Sequence, residues 1–180
     1  MGLPGAGNPG DIRKQRAHWV DETTIAWESA EDADNAYTLH YAPTGGLEAT
    51  AGGITGGSSI TLLPGTMSDD AKAKFPHLAG LPALEIQAGD RAMIPEILKG
   101  QIAVSAVDGD GKSVDATGIQ IPGVLDDLYA YYGELGVVYD SPPSVRLWAP
   151  TAKSVTFHLF GDAEPGTGST TYPMTLDPAT

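Results

Sequence analysis

Val145-Arg-Leu-Trp-Ala-Pro-Thr-Ala-Lys-Ser-Val-Thr-Phe-His-Leu-Phe160 holds two short apolar runs on either side of a Trp-Ala-Pro corner. Val145 and Leu147 alternate with polar residues before the corner, and Val155, Phe157 and Leu159 alternate after it. A period of two places every second side chain on one face of a pleated backbone, so each run is predicted to be a strand with one face on a core. Pro150 and Thr151 read as the turn between them.

Working upstream, the same period recurs. Trp19, Val20, Ile25 and Trp27 and then Tyr37, Leu39 and Tyr41 mark the first strands, followed by Ser59–Leu63 and Leu84–Gln87. Gln101–Val107 is predicted to run through the turn Asp108-Gly-Asp-Gly111 into Val114–Ile121 as its hairpin partner. Two helical turns interrupt the strands. Ser68 is placed to cap a helix that starts with Asp69 and Asp70 and is stopped by Pro76, and Met93–Leu98 forms a second one closed by Gly100. Val137–Tyr139 and Tyr172–Leu176 complete the strands downstream.

The fold class is therefore all-β. An immunoglobulin-like β-sandwich with short helical turns is expected over residues 17–124, and an incomplete second β-sandwich module over 137–180. Leu125, Leu128 and Tyr131 give the connecting segment 125–136 an amphipathic pattern, so it is expected to pack on a surface rather than hang free. Residues 1–16 combine Gly and Pro with Arg13, Lys14 and Arg16 and show no apolar period, which reads as a disordered leader or linker.

Composition narrows the partners. The 180 residues carry 23 acidic against 10 basic side chains, a formal charge of -13, so the field around the chain repels nucleic-acid phosphates and anionic lipid surfaces. With no cysteine there is no disulfide framework, thiol nucleophile or cysteine-ligated zinc. No apolar run approaches the roughly 18 residues of a membrane span. Neutral sugars and other proteins remain.

Several constellations have a chemical and a plainer reading. Asp108, Asp110 and Asp115 are spaced as in a calcium loop, but Lys112 occupies a ligand position and the closing Glu is lacking, so a hairpin turn accounts for them. Asp126 and Asp127 resemble an acid/base pair, yet neighbouring residues point apart, and a charge pair at a helix start is the reading adopted. His18, His40, His77 and His158 have no short ligand spacing, so no metal is expected. Gly52–Gly57 lacks the Lys-Ser/Thr and helix of a phosphate loop, and no cofactor is expected. No Gly-x-Ser-x-Gly elbow marks a serine nucleophile. Aromatic rings are left as the groups able to stack on sugar C–H faces, with Trp19, Trp27, Tyr131, Tyr132 and Trp148 as candidates and a core role open for each Trp.

Longer motifs add a resemblance. The corner Trp148-Ala-Pro-Thr-Ala152 between two strands resembles the opening hairpin of the family 48 carbohydrate-binding module. Ala17-His-Trp-Val-Asp-Glu-Thr-Thr-Ile-Ala-Trp27, Leu39-His-Tyr41, Lys74-Phe-Pro-His-Leu78 and Gly118-Ile-Gln-Ile-Pro-Gly-Val-Leu-Asp-Asp-Leu-Tyr-Ala-Tyr131 are similar, in the same order, to the N-terminal domain of type I pullulanases and plant limit dextrinases. The resemblance implies a parent enzyme of glycoside hydrolase family 13, whose barrel of roughly 250 residues cleaves α-1,6 branches with a pair of Asp/Glu residues. It implies no catalytic residue here, and it casts 137–180 as a truncated module. The expected role is a non-catalytic accessory segment that braces the absent catalytic barrel, its partner, with α-glucan a possible ligand. Two rival readings are an autonomous starch-binding module and a generic immunoglobulin-like spacer.

Overall fold

Ala17, Trp19 and Ile25 point into one core, and the strand that carries the first two also closes the sheet. The computed structural model describes residues 7–163 and 168–177. It divides into two units, residues 1–130 and 131–180.

In the first unit, seven strands form one closed sheet: β1 (Asp11–Asp21), β2 (Thr24–Ala26), β7 (Ala83–Ile86), β6 (Ser58–Gly65), β3 (Ala36–Ala42), β8 (Gln101–Val107) and β9 (Ser113–Gln120), in that spatial order. Closure comes from β1. His18 and Trp19 pair antiparallel with Ala26 and Ile25 of β2, while Gln15, Ala17 and His18 pair parallel with Gly118, Ile119 and Gln120 of β9. One strand thus joins the edges of what the sequence suggests are two sheets. The expected immunoglobulin-like sandwich is corrected to a closed barrel, while the all-β character holds.

This also corrects the leader. Residues 1–6 lie outside the described residues, but Asp11–Arg16 belongs to β1. Its polar side chains hide it from a periodicity search, because what holds it is backbone pairing across two register irregularities.

The barrel encloses Trp19, Trp27, Tyr37, Leu39, Leu62, Leu84, Ile86, Val104 and Val124, all buried. Trp27 and Tyr37 meet edge to face with ring centroids 6.4 Å apart, an arrangement worth about 1 kcal/mol beyond its buried area. A hairpin of β4 (Glu48–Thr50) and β5 (Gly53–Thr55) stands beside the barrel and takes in part of the Gly52–Gly57 run. Helix α1 (Asp69–Lys74) starts as the sequence predicts, with the Ser68 hydroxyl accepting the Ala71 N–H at 3.1 Å. A 3₁₀ turn at Arg91–Met93 leads into α2 (Ile94–Ile97). Helix α3 (Pro122–Leu128) spans the expected boundary at residue 124 and buries Gly123 and Val124.

The second unit consists of two hairpins, β10 (Gly136–Val138) with β11 (Ser144–Arg146) and β12 (Thr156–Phe160) with β13 (Ser169–Pro173). They form separate two-stranded sheets, not a sandwich. β13 lies earlier than the expected Tyr172–Leu176, because Ser169, Thr170 and Thr171 pair with Phe160, Leu159 and His158 although they show no apolar period. None of its described residues is buried.

Candidate functional site

The aromatic candidates separate by where the chain places them. Trp19 and Trp27 lie 1% and 0% exposed inside the barrel, so no sugar can stack on either, and they leave the set of candidates. Inward alternation from Ala17 and the edge-on contact with Tyr37 put them there. Tyr131, Tyr132 and Trp148 belong to the second unit. Tyr131 is half-buried, Tyr132 stands 96% exposed, and Trp148 is 40% exposed.

Trp148 borders an open groove of about 490 Å³ between the two hairpins. Val145, Leu147, Val155 and Phe157 contribute its apolar lining. Phe157 pairs directly with Tyr172 across β12 and β13, their ring centroids 6.4 Å apart. Arg146, Thr156 and His158 supply polar groups along the same groove, and His158 Nδ1 lies 3.2 Å from the Ser169 hydroxyl. An aromatic ring beside a few hydrogen-bonding side chains is the composition that holds a neutral sugar ring. Tyr131 and Tyr132 do not line the groove. Arg146, Phe157 and His158 are additions that the period-two reading hides, since it assigns Phe157 to a core and gives its polar neighbours no role.

No Asp or Glu lines this groove. Glycoside cleavage needs two carboxyl groups about 5–9.5 Å apart across the scissile bond. A smaller crevice of about 200 Å³ in the first unit does have carboxylates, from Asp21, Asp70 and Asp127, beside Lys74 and Phe75. Asp21 accepts the Thr23 N–H at 2.9 Å and Asp127 accepts the Glu22 N–H at 2.8 Å, so both are engaged in holding backbone turns. Asp126 instead faces Lys74 at 3.7 Å. The two neighbours point to different partners, but they sit in the last turn of α3, not at a helix start as expected.

Other polar clusters are structural. Asp108 accepts the N–H groups of Asp110 at 3.0 Å and Lys112 at 2.9 Å, spending its carboxylate on the β8–β9 turn. His40 Nε2 lies 2.9 Å from the Ser105 hydroxyl, a base beside a nucleophile type. Ser105 is 1% exposed, and burial pushes the imidazole down to about 4, so this is a neutral, sealed pair. At the barrel rim, Arg16 grips both oxygens of Asp115 at 2.6 and 2.7 Å, and Ser29 donates to the same carboxylate at 2.7 Å. Burial opposes the charge on Asp115, yet the Arg16 and Ser29 hydrogen bonds hold it below the usual carboxylate range.

The family model described as the Pullulanase N2 domain matches residues 14–127, the barrel and most of α3. The chain belongs to this family. It is 33% identical over 167 residues to the pullulanase of Klebsiella pneumoniae, which covers 91% of this chain and 15% of that protein. It is 32% identical over 149 residues to chloroplastic pullulanase 1 of Arabidopsis thaliana, covering 81% of this chain and again 15% of the relative. Among solved structures, a PulA variant from Klebsiella pneumoniae in complex with maltotriose superposes with a TM-score of 0.82 at 31% identity, covering 95% of this chain and 18% of that one. PulA from Klebsiella oxytoca gives 0.81 at 29% identity, over 94% and 16%. The chain thus spans about 15% of the length of the curated relatives it matches.

Proposed function

We propose that this chain is a non-catalytic accessory segment of a pullulanase-type enzyme that debranches α-1,6-linked glucans. The Pullulanase N2 match over residues 14–127 carries this reading. In this reading the barrel, 17–124 in its expected extent, braces the catalytic (β/α)8 domain of the parent glycoside hydrolase family 13 enzyme, while 125–136 connects it to the next module. Residues 137–180 form the first strands of a family-48-like carbohydrate-binding module. Trp148 is the stacking platform for an α-glucan, with Arg146 and His158 at its rim and Tyr131 and Tyr132 as further exposed rings.

Two measurements test the two halves of this role. Titration calorimetry of the chain with maltotriose and a branched dextrin, at concentrations that detect millimolar affinity, is expected to show binding that Trp148→Ala removes. Heat from sugar that Trp148→Ala leaves unchanged overturns the platform assignment. Removing residues 17–124 from the parent enzyme is expected to lower its melting temperature and its pullulan hydrolysis, and an unaltered enzyme refutes bracing.

A further inference from the structure

Residues 67–81 wrap the outer face of the barrel. Met67, Ala71 and Leu78 pack with Val20, Ala26 and Ala83 in a small core of their own, separate from the barrel interior, and Phe75 and Leu81 lie against it. At the margin of this layer four side chains follow one another. Lys74 Nζ sits 5.2 Å over the Phe75 ring, Phe75 meets His77 edge to face at 6.4 Å, and His77 meets His18 of β1 edge to face at 6.4 Å. His18 alternates with Trp19 on the strand, so it belongs to the outer face that the layer covers.

We propose that this layer is an acid-released element, held closed while the half-buried His18 ring is neutral against His77 and opened when His18 takes up a proton. A cation in that position cannot recover its lost hydration unless the layer lifts. Burial and His77 are the influences on the His18 proton, with no carboxylate among them. Asp21, Asp70 and Asp127 line the crevice next to Phe75, but Asp21 and Asp127 hold backbone groups and Asp126 pairs with Lys74, itself a cation. From β9 the residue beside His18 is Gln120, and from β2 it is Ala26, neither ionisable. Arg16, two residues earlier on β1, is engaged by Asp115 and Glu28. No carboxylate hydrogen-bonds to either ring among the described residues. Burial, then the neighbouring His77, lowers the affinity of His18 for a proton.

The direction follows from linkage. A lowered proton affinity in the closed form means that opening binds protons, so closure is complete above the ordinary histidine range and is lost as pH falls through it. Each proton taken up raises the opening equilibrium by at most about tenfold per pH unit. Hydrogen exchange of the full chain between pH 7.5 and 5, corrected for intrinsic rates, reads this directly. Amides of residues 71–75 and 78 are expected to lose protection on acidification while those of β8 and β9 keep theirs, and His77→Gln is expected to flatten the response. By NMR titration, the same variant raises the His18 proton affinity. Unchanged protection of 71–75 and 78 in the wild type, or an equal loss in His77→Gln, overturns the proposal.

Discussion

Arg16 and Asp115 show how a few side chains secure the barrel rim. The Asp115 side chain is 10% exposed and that of Arg16 33%, so removing one partner strands a largely desolvated charge. Asp115→Asn or Arg16→Ala is expected to cost about 2 kcal/mol, discounted for the exposed side of Arg16, in urea unfolding. Because the folded state holds the Asp115 proton more weakly than the unfolded one, its contribution is complete above the ordinary aspartate range and disappears as pH falls below it. His40 acts in a higher window. Its value of about 4 lies below the ordinary 6.5, so the stability it supports is full above pH 6.5 and declines as pH drops toward 4. His40→Gln is expected to flatten the urea midpoint over that interval. Neither role is readable from spacing, since Arg16 and Asp115 are 99 residues apart and are joined only by the parallel pairing of β1 and β9.

Among the elements, those with strong local signals appear where the sequence puts them. β8 occupies the expected Gln101–Val107, and α1 has its Ser68 cap and stops before Pro76. Ser68→Ala is expected to lose about 1 kcal/mol, the usual cost of an N-cap, measured by thermal melting. Elements fixed by close backbone approach are the ones the sequence conceals. A Cβ on Gly123 would lie 2.6 Å from the Val20 carbonyl oxygen and 2.7 Å from that of Trp19, so α3 docks directly on the backbone of β1. Gly123→Ala is expected to destabilise the chain by about 2 kcal/mol, as overpacking does, while the same change at the open Gly109 stays within about 0.5 kcal/mol. The β4–β5 hairpin is hidden for a related reason. Gly53 takes φ of +112° at its turn, a conformation that costs glycine little but leaves no periodic side chain to read.

At the scale of the molecule, the two units differ in what holds them. The first has a continuous core from Ala17 to Val124, while the second has no buried residue among those described and exposes Leu147, Leu159, Phe160 and Tyr172 by 49–60%. Isolated two-stranded hairpins are marginal in water, so amides of β10–β13 are expected to exchange far faster than those of β8 and β9. Equal protection in a proven monomer would show that 131–180 is stabilised by more than its own hairpins. Sequence alone determined the all-β character, most strand positions, the caps of α1 and the family motifs, because each is written in neighbouring residues through the period-two pattern, turn chemistry or motif order. Tertiary structure decided that the seven strands close into a barrel, that polar Asp11–Arg16 is one of them, that Trp19 and Trp27 face inward, and that Arg146 and His158 join Trp148 in one groove. Closure depends on which backbone edges meet across a hundred residues and the groove on how neighbouring hairpins are placed, and hydrogen bonds between backbones leave no trace in side-chain order.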